Sequence, residues 1–318
     1  MSLLNVQNLK MYYRLRAGYV RAVDGVSFTI EKGEALGLVG ESGCGKTSIA
    51  LTLLKILPRN ALIVDGKVIF DGKDILSMDE ETFRREIRWK GISLVFQGAM
   101  NALNPLYRIE DQIIEAIRLH EPETSKEEAR ERVKKLFELV GIDPSRSKNY
   151  PHEFSGGMKQ RACIAMALSC NPKLLIADEP GTALDVIVQA QTLKLLRELK
   201  KKLNISMMVI SHDLSIITEV CDKVAVMYAG KIVEYGDIIS IYKEPLHPYT
   251  IDLVNAFPKI SSKRQKLSFI PGSPPDLLYP PKGCRFHPRC KYAMEICRKE
   301  EPPIVDVGAN HYIKCHLM

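Results

Sequence analysis

Across 318 residues, no uninterrupted apolar run approaches the ~20 residues that a bilayer-crossing helix requires. The opening stretch, Met1-Ser2-Leu3-Leu4-Asn5, lacks the basic and apolar regions of a secretory signal, so the chain is expected to be cytosolic, reaching a membrane only through a partner. There is no heptad run, which counts against a long coiled-coil insertion. Also missing is any C-x₂₋₄-C pair of the kind zinc sites favour.

What is present is the composition of a folded soluble protein, 46% apolar and 26% charged. The length exceeds one ordinary core, so a domain of usual size with a smaller appendage is expected. Net charge is +7, and residues 259–318 hold eleven Lys/Arg against five Asp/Glu, so this tail carries most of it. A basic tail is either a solvated surface or a contact for a polyanion such as nucleic acid or lipid headgroups. The eight cysteines fall into two groups. Cys44, Cys163, Cys170 and Cys221 are scattered through apolar or loop contexts and read as buried thiols. Cys284, Cys290, Cys297 and Cys315 crowd toward the end, where a reducing compartment favours metal binding over disulfides.

Alternation over Leu4–Leu9, the stretch Ala22–Ile30, a turn at Glu31-Lys32-Gly33 and the apolar run Ala35–Val39 predict short strands leading into a glycine-rich loop. A helix from about Gly45 to Leu57 follows, ending before Pro58. From about Asp79 to Gly141 the pattern is helical and charged. Met78-Asp79-Glu80-Glu81-Thr82 opens one helix, and Ser125 opens another with its hydroxyl placed to cap the first turn. Leu174–Ala177 and Met207–Ile210 read as buried strands around a helix over Val186–Leu203, a βαβ unit that implies a parallel sheet. The helical stretch thus reads as a subdomain inserted between two parts of an α/β core. Beyond about Pro258, recurrent prolines forbid long helices and leave a loop-rich segment that needs a staple.

Gly40-Glu41-Ser42-Gly43-Cys44-Gly45-Lys46-Thr47 fits G-x-x-x-x-G-K-[ST] in full. Its glycines let backbone amides approach phosphates, Lys46 supplies a point charge for the β- and γ-phosphates, and the Thr47 hydroxyl can ligate Mg²⁺. Asp178 closes the strand Leu174–Ala177 and Glu179 follows at once. The first carboxylate suits the hydration shell of Mg²⁺, the second the polarisation of an attacking water.

Further motifs follow in fixed order: Phe96-Gln97, Leu103-Asn104-Pro105, Tyr150-Pro151-His152-Glu153-Phe154-Ser155-Gly156-Gly157-Met158-Lys159-Gln160-Arg161, Ala183-Leu184-Asp185-Val186, Ser211-His212-Asp213 and His247-Pro248-Tyr249-Thr250. With these the chain resembles the ATP-binding subunits of ATP-binding cassette transporters over residues 1–257, and more narrowly the dipeptide/oligopeptide permease subfamily over nearly its whole length. The resemblance implies an α/β P-loop NTPase cassette, with an antiparallel β subdomain and an inserted helical subdomain at about 98–165. A small loop-rich extension with a four-cysteine cluster follows at 258–318. It implies that Gly40, Ser42, Gly43, Cys44, Gly45, Lys46, Thr47 and Ser48 hold ATP while Tyr13 stacks on adenine, with Tyr12 and Tyr19 close enough to compete. Thr47, Gln97 and Asp178 form the Mg²⁺ set, and Glu179, Gln97 and His212 the catalytic group, His212 contacting the γ-phosphate. Ser155, Gly156 and Gly157 cap the ATP of an opposite subunit, and Asp185 links the two sites.

For the spacing Cys284-x₅-Cys290-x₆-Cys297-x₁₇-Cys315 the resemblance implies a [4Fe–4S] cluster, with Zn²⁺ or unligated thiols as alternatives. Its expected role is local, pinning the extension and leaving ATP affinity nearly unchanged. The implied partners are a second cassette subunit in a heterodimer, two transmembrane permease subunits and, indirectly, an extracytoplasmic solute-binding protein; no nucleic acid is expected. The implied place is the cytoplasmic face of the membrane, as a peripheral subunit, and the implied function is ATP hydrolysis powering import of di- or oligopeptides. Related importers carry short oligosaccharides or nickel. A soluble cassette ATPase acting on nucleic acid is the reading from another class, with the basic tail in its favour. Two departures stand out. Gly181 replaces a threonine of the family pattern, which is expected to loosen the loop toward Asp185, and Gly98-Ala99 stands where an acidic residue and proline are common.

Overall fold

The computed structural model describes residues 2–98, 102–182, 185–256, 270–308 and 310–318. Ala99, Ala183, Leu184 and the expected boundary at 257/258 lie outside them. Among the described residues the strands are β1 (Ser2–Leu15), β2 (Gly18–Glu31), β3 (Ala35–Val39), β4 (Ala61–Phe70), β5 (Lys73–Asp74), β6 (Ile92–Val95), β7 (Leu174–Asp178), β8 (Ser206–Ser211), β9 (Lys223–Tyr228), β10 (Lys231–Asp237), β11 (Val305–Asp306) and β12 (Tyr312–Ile313). The helices are α1 (Lys46–Leu53), α2 (Glu80–Glu86), α3 (Ile109–His120), α4 (Lys126–Leu139), α5 (Gly156–Ala167), α6 (Val186–Leu203), α7 (Leu214–Val220), α8 (Ile238–Lys243), α9 (Pro248–Asn255) and α10 (Glu295–Lys299). They divide into two compact units. One is built from Ser2–Ile30, Leu36–Leu76 and Ser211–Met318, the other from Glu31–Ala35 and Ser77–Ile210.

In the first unit β1 pairs antiparallel with β4, Leu4 opposite Phe70 and Tyr13 opposite Ala61, in a sheet ordered β2-β1-β4-β5. A second set of strands in this unit runs β11-β12-β10-β9-β3. β3 and β9 are parallel, with Leu38 opposite Ala225, whereas β9/β10, β10/β12 and β12/β11 are antiparallel. All of β3 is buried, so Ala35–Val39 is apolar without alternation, as a parallel strand covered on both faces must be. The tail supplies the edge of this set, Glu234 of β10 lying opposite Ile313 of β12.

In the second unit β6, β7 and β8 are parallel, with Ile176 between Leu94 and Met208, and β7 and β8 are buried throughout. α6 makes the crossover between β7 and β8 over the predicted span Val186–Leu203. α3 buries Ile109, Ile113 and Ile117, and α4 buries Ala129, Val133, Leu136 and Phe137, in each case a stripe along one helix face.

Local capping follows the sequence at α4. The Ser125 hydroxyl accepts the Glu128 N–H at 3.2 Å, and the Glu128 carboxylate accepts the Ser125 N–H at 2.9 Å. α1 differs from expectation, ending at Leu53 instead of Leu57. Lys55 turns left-handed at φ 50°, its N–H reaching Thr52 O and that of Ile56 reaching Leu51 O, each at 3.1 Å. This Schellman closure ends the helix before Pro58 is reached. Removing the α4 cap by Ser125→Ala is expected to lower stability by about 1 kcal/mol, read as a drop in the urea midpoint. An unchanged midpoint would contradict the capping role.

Candidate nucleotide site

The glycine loop leaves β3 and enters α1 in the first unit. At Gly45, φ is +105° and an added Cβ would sit 2.0 Å from the Ala22 carbonyl oxygen. At Gly40, φ is +156° and a Cβ would meet the Met227 carbonyl oxygen at 2.1 Å. The loop is therefore seated directly on the backbone of β2 and β9, and only glycine allows it. Beyond it, α1 starts at Lys46, and the positive end of its dipole makes a ready site for phosphate. The Lys46 side chain folds across the loop, its ammonium donating to Gly40 O at 2.6 Å and Glu41 O at 3.0 Å. Burial pushes the Cys44 thiol up, with Lys46 opposing, so Cys44 fills the loop as a neutral group. The Tyr13 hydroxyl lies 2.9 Å from the Ser48 hydroxyl in α1, while Tyr12 donates to Asp24 at 2.7 Å and Tyr19 is 47% exposed. Of the three tyrosines, Tyr13 is thus the one bonded to the helix that follows the glycine loop.

Behind the loop stand residues whose role the sequence motifs did not reveal. His247 caps α9, its Nδ1 accepting the Tyr249 N–H at 3.0 Å, and burial lowers its pKa to about 3, which keeps the ring neutral. The Tyr249 hydroxyl accepts the Glu41 N–H at 2.9 Å. Tyr228, Tyr249 and Phe286 pack with ring centroids 4.8 to 5.4 Å apart. From the tail, Arg289 donates to both oxygens of Glu41, at 2.5 and 2.9 Å, and Arg285 donates to Asp24 and to Ala229 O. Burial would raise Asp24, but the Tyr12 hydroxyl, Arg285 and Lys231 outweigh it and hold the carboxyl below the usual range. The signal for His247 and Tyr249 was His247-Pro248-Tyr249-Thr250, which marks a family without saying what it touches; Arg285 and Arg289 carried none.

The second unit gathers another group. Glu179 follows β7 in the left-handed region, φ 47°, with its N–H on Ile210 O at 2.9 Å. A non-glycine residue there is strained, and such strain concentrates at functional positions. One oxygen of its carboxylate accepts from the Gln97 amide at 2.9 Å and from the Thr182 hydroxyl at 2.7 Å. Gln97 and Glu179 therefore meet, and Thr182 joins them unforeseen. Asp178 is buried at the strand end. Gly181 is buried, and an added Cβ would lie 2.6 Å from Gln189 Cγ of α6; the loop from it toward Asp185 passes outside the described residues. Ser155 caps α5, its hydroxyl accepting the Met158 N–H at 3.3 Å, with Gly156 and Gly157 in the first turn. A Cβ on Gly157 would lie 2.7 Å from Val188 Cγ1, and Asp185 caps α6 through the Val188 N–H at 2.9 Å. The starts of α5 and α6 thus abut. His212 is exposed after β8 and, like Tyr13 and the glycine loop, belongs to the first unit, whereas Gln97 and Glu179 belong to the second.

The terminal cysteines differ from expectation. Among the described residues no group of three or more His, Cys, Asp or Glu side chains is set to hold a metal ion, so Cys284, Cys290, Cys297 and Cys315 lend no support to a [4Fe–4S] or Zn²⁺ site. Burial raises Cys284 to about 11 and pushes Cys290 and Cys315 up, nearby cysteines adding to the effect. The thiols are neighbours, and buried Arg285 and Arg289 tie the proline-rich tail to Asp24 and Glu41.

A buried parallel strand, a glycine loop on an α-helix and a strand-end Asp-Glu pair define a P-loop nucleotide-hydrolysing protein. The ABC transporter family profile matches residues 23–182, and that of the oligopeptide/dipeptide transporter C-terminal region matches residues 233–297. The oligopeptide transport ATP-binding protein of Bacillus subtilis is 46% identical over 320 residues, 99% of this chain and 89% of that protein. The dipeptide transport ATP-binding protein of Caldanaerobacter subterraneus is 43% identical over 316 residues, 99% of this chain and 97% of that protein. Among solved structures, a Clostridium perfringens protein that is part of an ABC transporter complex matches with a TM-score of 0.66 at 28% identity, covering 76% of this chain and 91% of that one. The chain belongs to the ABC transporter family, among the members carrying the oligopeptide/dipeptide transporter C-terminal region. No helix among the described residues is long and apolar enough to cross a membrane.

The buried histidine makes stability depend on pH. His247 titrates near 3 in the folded chain but near the ordinary 6.5 when unfolded, so below that value the unfolded chain takes up a proton that the folded chain refuses. Stability therefore falls as pH drops through 6.5, by up to about 1.4 kcal/mol per pH unit from this group. His247→Asn, which keeps an acceptor for the Tyr249 N–H, is expected to show a smaller loss of urea midpoint between about pH 7 and pH 5.5 than the parent. Equal losses would contradict it.

Proposed function

We propose that this chain is the ATP-hydrolysing subunit of an importer of di- and oligopeptides, driving transport through partner membrane subunits. The observation that carries it is the Glu179 carboxylate at the end of β7, held by Gln97 and Thr182. The C-terminal region at 233–297 and the relatives named for peptide transport support peptides over oligosaccharides or nickel.

In this reading Gly40, Ser42, Gly43, Cys44 and Gly45 offer backbone N–H groups to the phosphates, and Lys46 exchanges its bonds to Gly40 O and Glu41 O for phosphate oxygens. Ser48 lies in the first turn of α1 beside them, and Tyr13 takes the adenine. Thr47, Asp178 and Gln97 would hold Mg²⁺, which when bound neutralises charge on the β- and γ-phosphate oxygens. Glu179 accepts the proton of the attacking water as its oxygen adds to the γ-phosphorus and the bond to ADP breaks, giving ADP and phosphate. Gln97 and Thr182 orient that carboxylate, and His212 donates to the γ-phosphate.

Ser155, Gly156 and Gly157 form a helix start suited to an anion, and take the γ-phosphate bound on a second cassette, with Asp185 linking the two sites. The working form is then a heterodimer of cassettes, peripheral on the cytoplasmic face, with two transmembrane permeases and, through them, an extracytoplasmic solute-binding protein. The [4Fe–4S] reading of the four terminal cysteines rests on the sequence resemblance and has no step here. It requires about four irons per chain after anaerobic purification, and one zinc without iron, or neither metal, would remove it.

Glu179→Gln is expected to keep ATP binding while turnover falls ~10²–10⁴-fold, because the amide cannot take the proton. Turnover at the parent rate would remove Glu179 from this role. Lys46→Ala should instead weaken ATP binding itself by about tenfold or more, measured by calorimetry.

A further inference from the structure

The cysteine cluster was expected to leave ATP affinity nearly unchanged, yet the tail that carries it reaches the nucleotide loop. Arg289, between His287-Pro288 and Cys290, has a side chain only 5% exposed. Its Nε donates to Pro271 O at 2.7 Å, and one terminal nitrogen serves Glu41 Oε2 and the Tyr228 hydroxyl. The other serves Glu41 Oε1 at 2.9 Å and the Ile270 and Gly272 carbonyls at 3.4 Å. Every N–H of the guanidinium is thus directed, a fork that lysine could not reproduce.

At the receiving end each polar group of Glu41 is fixed. Its carboxylate is in the fork, its N–H is on the Tyr249 hydroxyl, and its carbonyl accepts from Lys46 at 3.0 Å and from the Cys44 N–H at 3.3 Å. Glu41 is next to Gly40 and is the only acidic residue of the loop Gly40–Thr47. A carboxylate beside a polyphosphate opposes its binding unless its charge is matched, and the matching charge here comes from a residue 248 positions away.

We infer that Arg289 is a positioning residue for the nucleotide site, acting through Glu41 to neutralise the loop's one carboxylate and to hold the carbonyl against which Lys46 is set. The inference rests on reading 40–47 as the ATP site. The tail is then part of the ATP site's support, and loosening the segment 284–290 loosens the loop.

The test is Mg·ATP affinity of the full chain by calorimetry, for the parent, Arg289→Gln, Glu41→Gln and the double variant. Arg289→Gln is expected to bind about tenfold more weakly, the scale of a lost charge-assisted pair. The double variant should recover to within about threefold of the parent, because removing the carboxylate removes the need for the arginine. Arg289→Lys keeps the charge and is expected to lose less, and its loss too should vanish once Glu41 is Gln; it serves if Arg289→Gln does not fold. Lys291→Ala, which removes from the same segment a half-exposed cation paired with Asp252 of α9, should bind as the parent does. With the assembled transporter the Arg289→Gln defect should appear in KM for ATP more than in kcat. The inference is overturned if Arg289→Gln and Arg289→Lys bind as the parent, or if their losses are the same with Gln at position 41. A parent chain that binds no ATP would instead overturn the site reading itself.

Discussion

The structure turns on the seating of one glycine loop upon two carbonyl groups. Gly40 and Gly45 lie so close to Met227 O and Ala22 O that no side chain fits between them. That contact fixes the loop to β2 and β9, and it is braced on both flanks: the Gly230 N–H donates to Cys44 O at 2.9 Å and the Asp24 N–H to Gly230 O at 2.8 Å. With the backbone held there, Lys46 is drawn across the loop, and α1 starts where the positive end of its dipole suits an anion. The aromatic cluster of Tyr228, Tyr249 and Phe286, together with the buried arginines of the tail, forms the layer on which this seat rests.

The second unit solves a different problem, how to keep a carboxylate poised at a strand end. Glu179 is held in a strained backbone conformation by the Ile210 carbonyl and oriented by an amide and a hydroxyl on one of its oxygens. Gly181 and Gly157 serve there as sites of close approach for α6, to Gln189 and Val188 respectively, which draws the turn after Glu179 and the cap of α5 onto the same helix start. The same residue type thus answers three needs in one chain: positive φ, backbone contact and helix seating.

Much of this was legible because it is local. The glycine loop, the strand-end acid pair, the Ser125 cap and the span of α6 are each encoded within a few adjacent residues, and each stands where the sequence puts it. What could not be read was long-range pairing: that Tyr249 serves Glu41 across 208 positions, that Arg285 serves Asp24, or that Thr182 shares an oxygen with Gln97. The anchoring of the tail is of the same kind. Proline content implied a staple, and four clustered thiols were the visible candidates; the described residues add two buried arginines bonded to Asp24 and Glu41, a pairing invisible until the carboxylate partners are placed. The early end of α1 has the same character, since Lys55 gives no sequence warning of a left-handed turn.

The most direct test is amide hydrogen exchange of the full chain with and without Mg·ATP, read peptide by peptide. Nucleotide seated in the glycine loop predicts slowed exchange across 40–48, where phosphates would accept from backbone N–H groups, and little change in the exposed first turn of α4. Protection absent from 40–48, or confined to segments outside it, would contradict the placement of the nucleotide on which all else is built.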